Sequence, residues 1–277
     1  MGGNIFKNKA KSIPKHRIEP TIKAYTQKLG EIFPIKAHSL SFFQPVGSAG
    51  KKDISGDLDL AIDSTHIVRA FTGTELKKWG IDWDEWNDLY TKIHKRARTA
   101  TYEMSKMRAL LTLISAKLAE NNIDVGDRVT AGNIFTCFPQ YDENGPTGDY
   151  VQIDWMVGNI EWLRWSYYSH GETDLKGLHR TQFIVALFAE MGYTFNHFCG
   201  IKKQKTSEWL TTSPEEALEI LTEHYGPIGL EDTLTFARLH SWLLKSKKDS
   251  YVSVIKRYRN ILTNQKAKTP NILQHTI

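Results

Sequence analysis

Cysteine is scarce in this chain: only Cys137 and Cys199 occur among 277 residues. Neither belongs to a CxxC pair, and the ten histidines show no HxxxH or similar ligand spacing. Neither a disulfide framework nor a structural zinc site is expected. Long apolar runs are missing as well. No window approaches the roughly 18 unbroken apolar residues of a membrane span, and the polar start MGGNIFKNKAKSIPKHR has no apolar signal-peptide region. A soluble, cytoplasmic protein with no membrane partner is the expectation. Internal repeats and low-complexity tracts are absent too.

Acids are missing from one place in particular. Residues 1 to 17 contain Lys7, Lys9, Lys11, Lys15 and Arg17 without a single carboxylate. A second basic cluster comprises Lys245, Lys247, Lys248, Lys256, Arg257, Arg259, Lys266 and Lys268, opposed only by Asp249. Such clusters can neutralise phosphates and draw in a polyanion by counterion release; read alone, they are more often solvated faces.

With 277 residues, 40% of them hydrophobic, the chain can bury two cores. The division expected is a domain over 1–160 and a helical domain over 161–277. IEPTIKAYTQKLGEIF reads as a first helix, with Pro20 near its start, and SLSFFQPVG as a strand. DLDLAID alternates acid and aliphatic residue, so Leu58, Leu60 and Ile62 should face the core while Asp57 and Asp59 share the other face. Helices are predicted over 83–98 and 102–120, the second with Met104, Met107, Leu111, Ile114 and Leu118 on one face. NIFTCFPQYDENGPTGDYVQIDWMVG spells an antiparallel hairpin whose loop, containing Asn144, Gly145, Pro146 and Gly148, should exceed the minimum length. Beyond residue 160 the strand signals stop, four helical patterns follow, and the tail after Thr269 reads as loose.

The stretch VGSAGKKDISGDLDLAID therefore presents a glycine and serine after one strand and two alternate acids on the next; a third acid, Asp154, follows on the hairpin. That set suits metal-assisted phosphoryl transfer. Asp57 and Asp59 on one face can share hard divalent cations, which prefer oxygen ligands, and Asp154 on a neighbouring strand would complete the pocket. In a two-metal site Asp57 and Asp59 would bridge both ions, while Asp154 would hold the ion under the nucleophile and accept its proton. Gly47 lets a phosphate approach the backbone, Ser48 can donate to it, and Lys51 or Lys52 could add charge. Each element also has a plain structural use: solvated aspartates on an edge strand, a simple Gly-Ser turn, or a buried Asp154 paired with an arginine. His179 and Arg180 read first as a helix-terminal cap or salt bridge, with a nucleotide contact as the alternative. Trp162, Trp165, Tyr167 and Tyr168 could stack on a base, though interdomain packing suits most of them better.

Together VGS, GDLDLAID and VQIDWMV resemble the polymerase beta-like nucleotidyltransferases, over roughly residues 36 to 160. The spacer between Ser48 and Asp57 is short for that family. The resemblance implies an α+β fold: a catalytic core with a mixed sheet flanked by helices, followed by an all-helical domain that could bind acceptor or nucleotide. It also implies two magnesium ions, with manganese as a substitute, and transfer of a nucleoside monophosphate from a nucleoside triphosphate to an acceptor hydroxyl. MGGNIF and the GSAGKK and SGDLDLAI runs are similar to nucleotidyltransferases carried by large tailed bacteriophages. The basic clusters favour a nucleic acid, RNA first, as acceptor. The alternatives are a protein or small-molecule acceptor such as an aminoglycoside, or an inactive nucleotide-binding or virion-associated protein.

Overall fold

A computed structural model of the chain describes residues 5–33, 43–97, 101–130, 132–170, 177–206, 208–246 and 248–273. The chain divides into two compact units, Met1–Ile160 and Glu161–Ile277. In the first, strand β1 (Ile13–Pro14) leads into helix α1 (Lys15–Ile32), which buries Ile18, Ile22, Tyr25 and Leu29 on one face. The helix begins a turn earlier than its apolar spacing predicts, and Pro20 lies inside it. Strands β2 (Gln44–Pro45), β3 (Ile54–Ser55) and β4 (Leu58–Asp63) follow. Only the end of the predicted strand over 39–47 is paired, and residues 39–42 lie outside the described residues. In β4, Leu58, Leu60 and Ile62 are wholly buried, as the alternation requires.

Helices α2 (Ser64–Ile67), α3 (Gly73–Lys77), α4 (Trp83–Arg96) and α5 (Tyr102–Glu120) come next. The Asp82 carboxylate caps α4 by accepting from the Asp84 and Glu85 amides at 2.8 and 3.2 Å. Asp84 and Glu85 occupy the first turn of α4, and His94, Lys95 and Arg96 the last, the arrangement that complements the helix dipole. Strands β5 (Asp124–Val125), β6 (Asn133–Asp142) and β7 (Gly145–Gly158) complete a five-stranded sheet of order β2-β4-β7-β6-β5. Its β4–β7 pair is parallel and the others antiparallel, which makes the sheet mixed.

The hairpin departs from expectation. Asp142 pairs with Gly145, so the connection is the two residues Glu143 and Asn144. Gly145 takes φ +122°, and the Asp142 carboxylate accepts from the Asn144 amide at 2.8 Å. Pro146 and Gly148 belong to β7, and a register shift between Pro139 and Tyr141 absorbs the irregularity of the pairing.

The second unit contains α6 (Ile160–Ser166), which starts at the boundary, and α7 (Gly177–Glu190). Three short strands, β8 (Tyr193–Asn196), β9 (Gly200–Lys203) and β10 (Trp209–Thr211), then form an antiparallel sheet where the sequence shows no strand signal. An all-helical region closes the chain: α8 (Pro214–Tyr225), α9 (Phe236–Ser246) and α10 (Lys248–Asn264). The tail read as loose forms a 3-10 turn, Asn271–Leu273, because Leu273 is buried in the core. No helix among the described residues is long and apolar enough to cross a membrane.

Candidate metal centre

Asp57 immediately precedes β4 and Asp59 lies within it. The parallel pairing of β4 with β7 sets Asp59 directly opposite Asp154. The three side chains each offer a carboxylate oxygen, and these oxygens lie within 4.8 Å of one another. Asp57 is 9% exposed and Asp154 3%. No lysine or arginine among the described residues forms a salt bridge with Asp59 or Asp154. Among the described residues, then, no arginine neutralises Asp154 as its plain structural use would require.

Three carboxylates gathered this way resist ionising together. Burial, then the charge of Asp57, pushes Asp59 up to about 7. Asp154 is pushed up to about 8, by burial first and next by the charge of Asp59. Gln152 opposes that shift: its side-chain amide donates to both Asp154 oxygens, at 2.9 and 3.1 Å. A divalent cation would supply the missing positive charge, and an all-oxygen donor set suits magnesium or another hard cation. Asp57, Asp59 and Asp154 thus form a potential metal-binding site.

The predicted phosphate loop adjoins this cluster. The Val46 amide donates to the Asp59 carbonyl at 2.9 Å, fastening the loop to β4. Gly47 adopts φ +66°, and a Cβ built on it would lie 2.8 Å from Asp59 Oδ2. Only glycine lets the main chain pass this close to the carboxylate. Ser48 continues the same turn, its carbonyl accepting from the Lys51 amide at 3.2 Å; Lys51 and Lys52 are exposed. Gln152 escaped the sequence analysis, although its signal was available: it stands two residues before Asp154 and so shares its face of β7.

Other candidates resolve differently. Trp162 and Trp165 are part of the core of their own unit, where their ring N–H groups donate to the Asn196 carbonyl and the Thr233 hydroxyl. Buried Arg180 donates to the carbonyls of Thr233, Ser166 and Tyr168, so main-chain oxygens replace the expected carboxylate. His179 Nδ1 shares a 2.8 Å hydrogen bond with the Tyr258 hydroxyl. The amino-terminal basic cluster is largely neutralised: Lys9 pairs with Asp124, and Lys11 and Arg17 pair with Asp149. In the carboxy-terminal cluster, Arg257 pairs with Glu190 and Lys247 lies outside the described residues; Lys256, Lys266 and Lys268 remain exposed. No protein-family model matches the chain and no curated protein matches it in sequence, so the fold and the carboxylate cluster carry the functional reading.

Proposed function

We propose that the chain is a metal-dependent nucleotidyltransferase, transferring a nucleoside monophosphate from a nucleoside triphosphate to an acceptor hydroxyl, with RNA as the acceptor. The observation that carries this reading is the convergence of Asp57, Asp59 and Asp154 on a mixed sheet, beside a glycine turn. Two magnesium ions held there would supply the charge neutralisation and Lewis acidity for phosphoryl transfer, and manganese could replace them. Asp57 and Asp59 would hold both ions, and Asp154 would hold the ion near the acceptor hydroxyl and take its proton. The acceptor oxygen forms a bond to the α-phosphorus as the bond to pyrophosphate breaks, and pyrophosphate leaves with the electron pair. Gly47 and Ser48 donate to the triphosphate oxygens, with Lys51 or Lys52 adding charge nearby. Gln152 keeps Asp154 in one orientation. Residues 1–160 form the catalytic domain, and residues 161–277 contribute acceptor or nucleotide binding.

The test is incorporation of labelled ATP, CTP, GTP and UTP into total cellular RNA and protein with magnesium or manganese, beside an Asp57→Ala/Asp59→Ala control. Label in RNA that disappears in the control is the expected result. Label in protein would change the acceptor, and wild-type-like labelling by the control would remove the two acids from the site.

A further inference from the structure

Five aromatic rings stack in sequence, from Phe71 ahead of α3, through Trp86, Tyr90 and His94 of α4, to Tyr102 at the start of α5. Their successive centroids are 5.4, 5.5, 5.8 and 4.3 Å apart, and their planes differ by 12°, 10°, 25° and 27°. The middle three recur every fourth residue of α4, which places them one above another on a single helix face. Two hydrogen bonds fix α5 alongside: Trp86 Nε1 donates to the Lys106 carbonyl at 3.3 Å, and His94 Nδ1 lies 3.1 Å from Ser105 Oγ.

The stack begins in the core and ends at the surface. Trp86 is buried, but Tyr102 is 63% exposed, with one ring face against His94. Charge is sorted along the same helix. Asp82, Asp84, Glu85 and Asp88 occupy the start of α4 or precede it, whereas Lys92, Lys95 and Arg96 fall in its last two turns, Lys95 and Arg96 directly following the His94 on which Tyr102 stacks. Lys95 and Arg96 are exposed, and neither pairs with an acid among the described residues. Glu103, next to Tyr102 in the chain, is engaged by Lys106 at 2.7 Å. Lys106 stands one turn along α5 from Tyr102 and 5.6 Å above the Phe71 ring, on the wall of a cleft of about 530 Å³ also lined by Arg69 and Met107.

We propose that this surface binds a single-stranded nucleic acid, one base stacking on Tyr102 and the adjoining phosphates lying on Lys95 and Arg96. An exposed aromatic ring backed by a rigid stack offers a base a large preorganised face, and the exposed cations that end α4 match a phosphate backbone. An acidic peptide would satisfy the cations but leave the ring without a partner. The inference rests on the nucleic-acid acceptor of the proposed function and gives that acceptor a place on the catalytic unit.

The test uses the full chain without metal and a fluorescein-labelled uridine oligonucleotide of about twelve residues, within the usual single-strand site sizes. Fluorescence anisotropy is read at several salt concentrations. Tyr102→Ala should weaken binding by about tenfold or more, the loss of one base–aromatic stack, and Tyr102→Phe should restore it. Lys95→Ala/Arg96→Ala should flatten the salt slope by about 1.4, two single-strand phosphate contacts. All these positions are exposed, so circular dichroism melts should match wild type. Absence of binding by the wild-type chain overturns the proposal, as does equal affinity in Tyr102→Ala. Equal binding of a polyglutamate peptide of the same length, insensitive to Tyr102, also overturns it and makes the surface a site for acidic protein segments. Magnesium-dependent ATP binding, measured on the same variants by calorimetry, separates the two readings. If it is absent while oligonucleotide binding remains Tyr102-dependent, the catalytic assignment fails and this surface stands.

Discussion

The acids at the candidate centre cost the metal-free fold stability, and a bound cation would offset that cost. Their raised values, about 7 for Asp59 and about 8 for Asp154, set the sign of the pH dependence. A carboxyl whose folded value lies above its unfolded one favours the folded state while protonated, and that contribution is lost as pH rises through the folded value. Metal-free protein should therefore lose stability from this source as pH rises from about 4, the ordinary carboxyl value, to about 8. Asp154→Asn, which cannot ionise, should melt at higher temperature than wild type near pH 9, with the gap closing only near pH 4. Magnesium should narrow the same gap by stabilising the ionised wild type. Scanning fluorimetry across pH, with and without magnesium, reads both effects; a gap independent of pH would mean that Asp154 ionises at an ordinary value.

At the scale of elements, β7 is the strand on which the site depends. One of its faces presents Gln152 and Asp154, and the other turns Ile153 and Trp155 into the core. Trp155 Nε1 donates to the Tyr25 hydroxyl at 2.7 Å, and Tyr25 lies 3.1 Å from the Thr136 hydroxyl, which in turn donates to the Ile153 carbonyl at 2.9 Å. This buried chain ties α1 to β6 and β7 on the side opposite the acids. Tyr25→Phe keeps the ring but leaves the Trp155 N–H without its acceptor, a loss of about 1–3 kcal/mol for a buried donor. A lowered urea midpoint with an unchanged slope is the expected outcome. An unaltered midpoint would show that another acceptor takes over.

For the whole molecule, the two hydrophobic cores share no residue: one is built from residues between Ile13 and Val157, the other from residues between Trp162 and Leu273. The carboxylate cluster belongs entirely to the first unit. Calorimetry should resolve two unfolding transitions, and magnesium alone should raise only one of them, since a ligand stabilises what binds it. A single transition, or equal shifts in both, would mean that the units unfold together.

The acid-aliphatic alternation of DLDLAID and the apolar run around Asp154 made the three acids legible from sequence, because side-chain periodicity is a local property of a strand. The same holds for α4 and α5, whose caps and apolar spacing lie within a few residues. Local patterns do not choose partners. The parallel register that sets Asp59 opposite Asp154 joins segments far apart in the chain, and only closure of the sheet brings them together. Long-range pairing likewise decided that Lys9, Lys11 and Arg17 meet Asp124 and Asp149. Strands β8 to β10 are three or four residues long, too short to display a period. The sequence by itself determined which residues could bind a metal and on which strand faces they stand; the tertiary structure alone decided that they converge, because convergence depends on strand order and register.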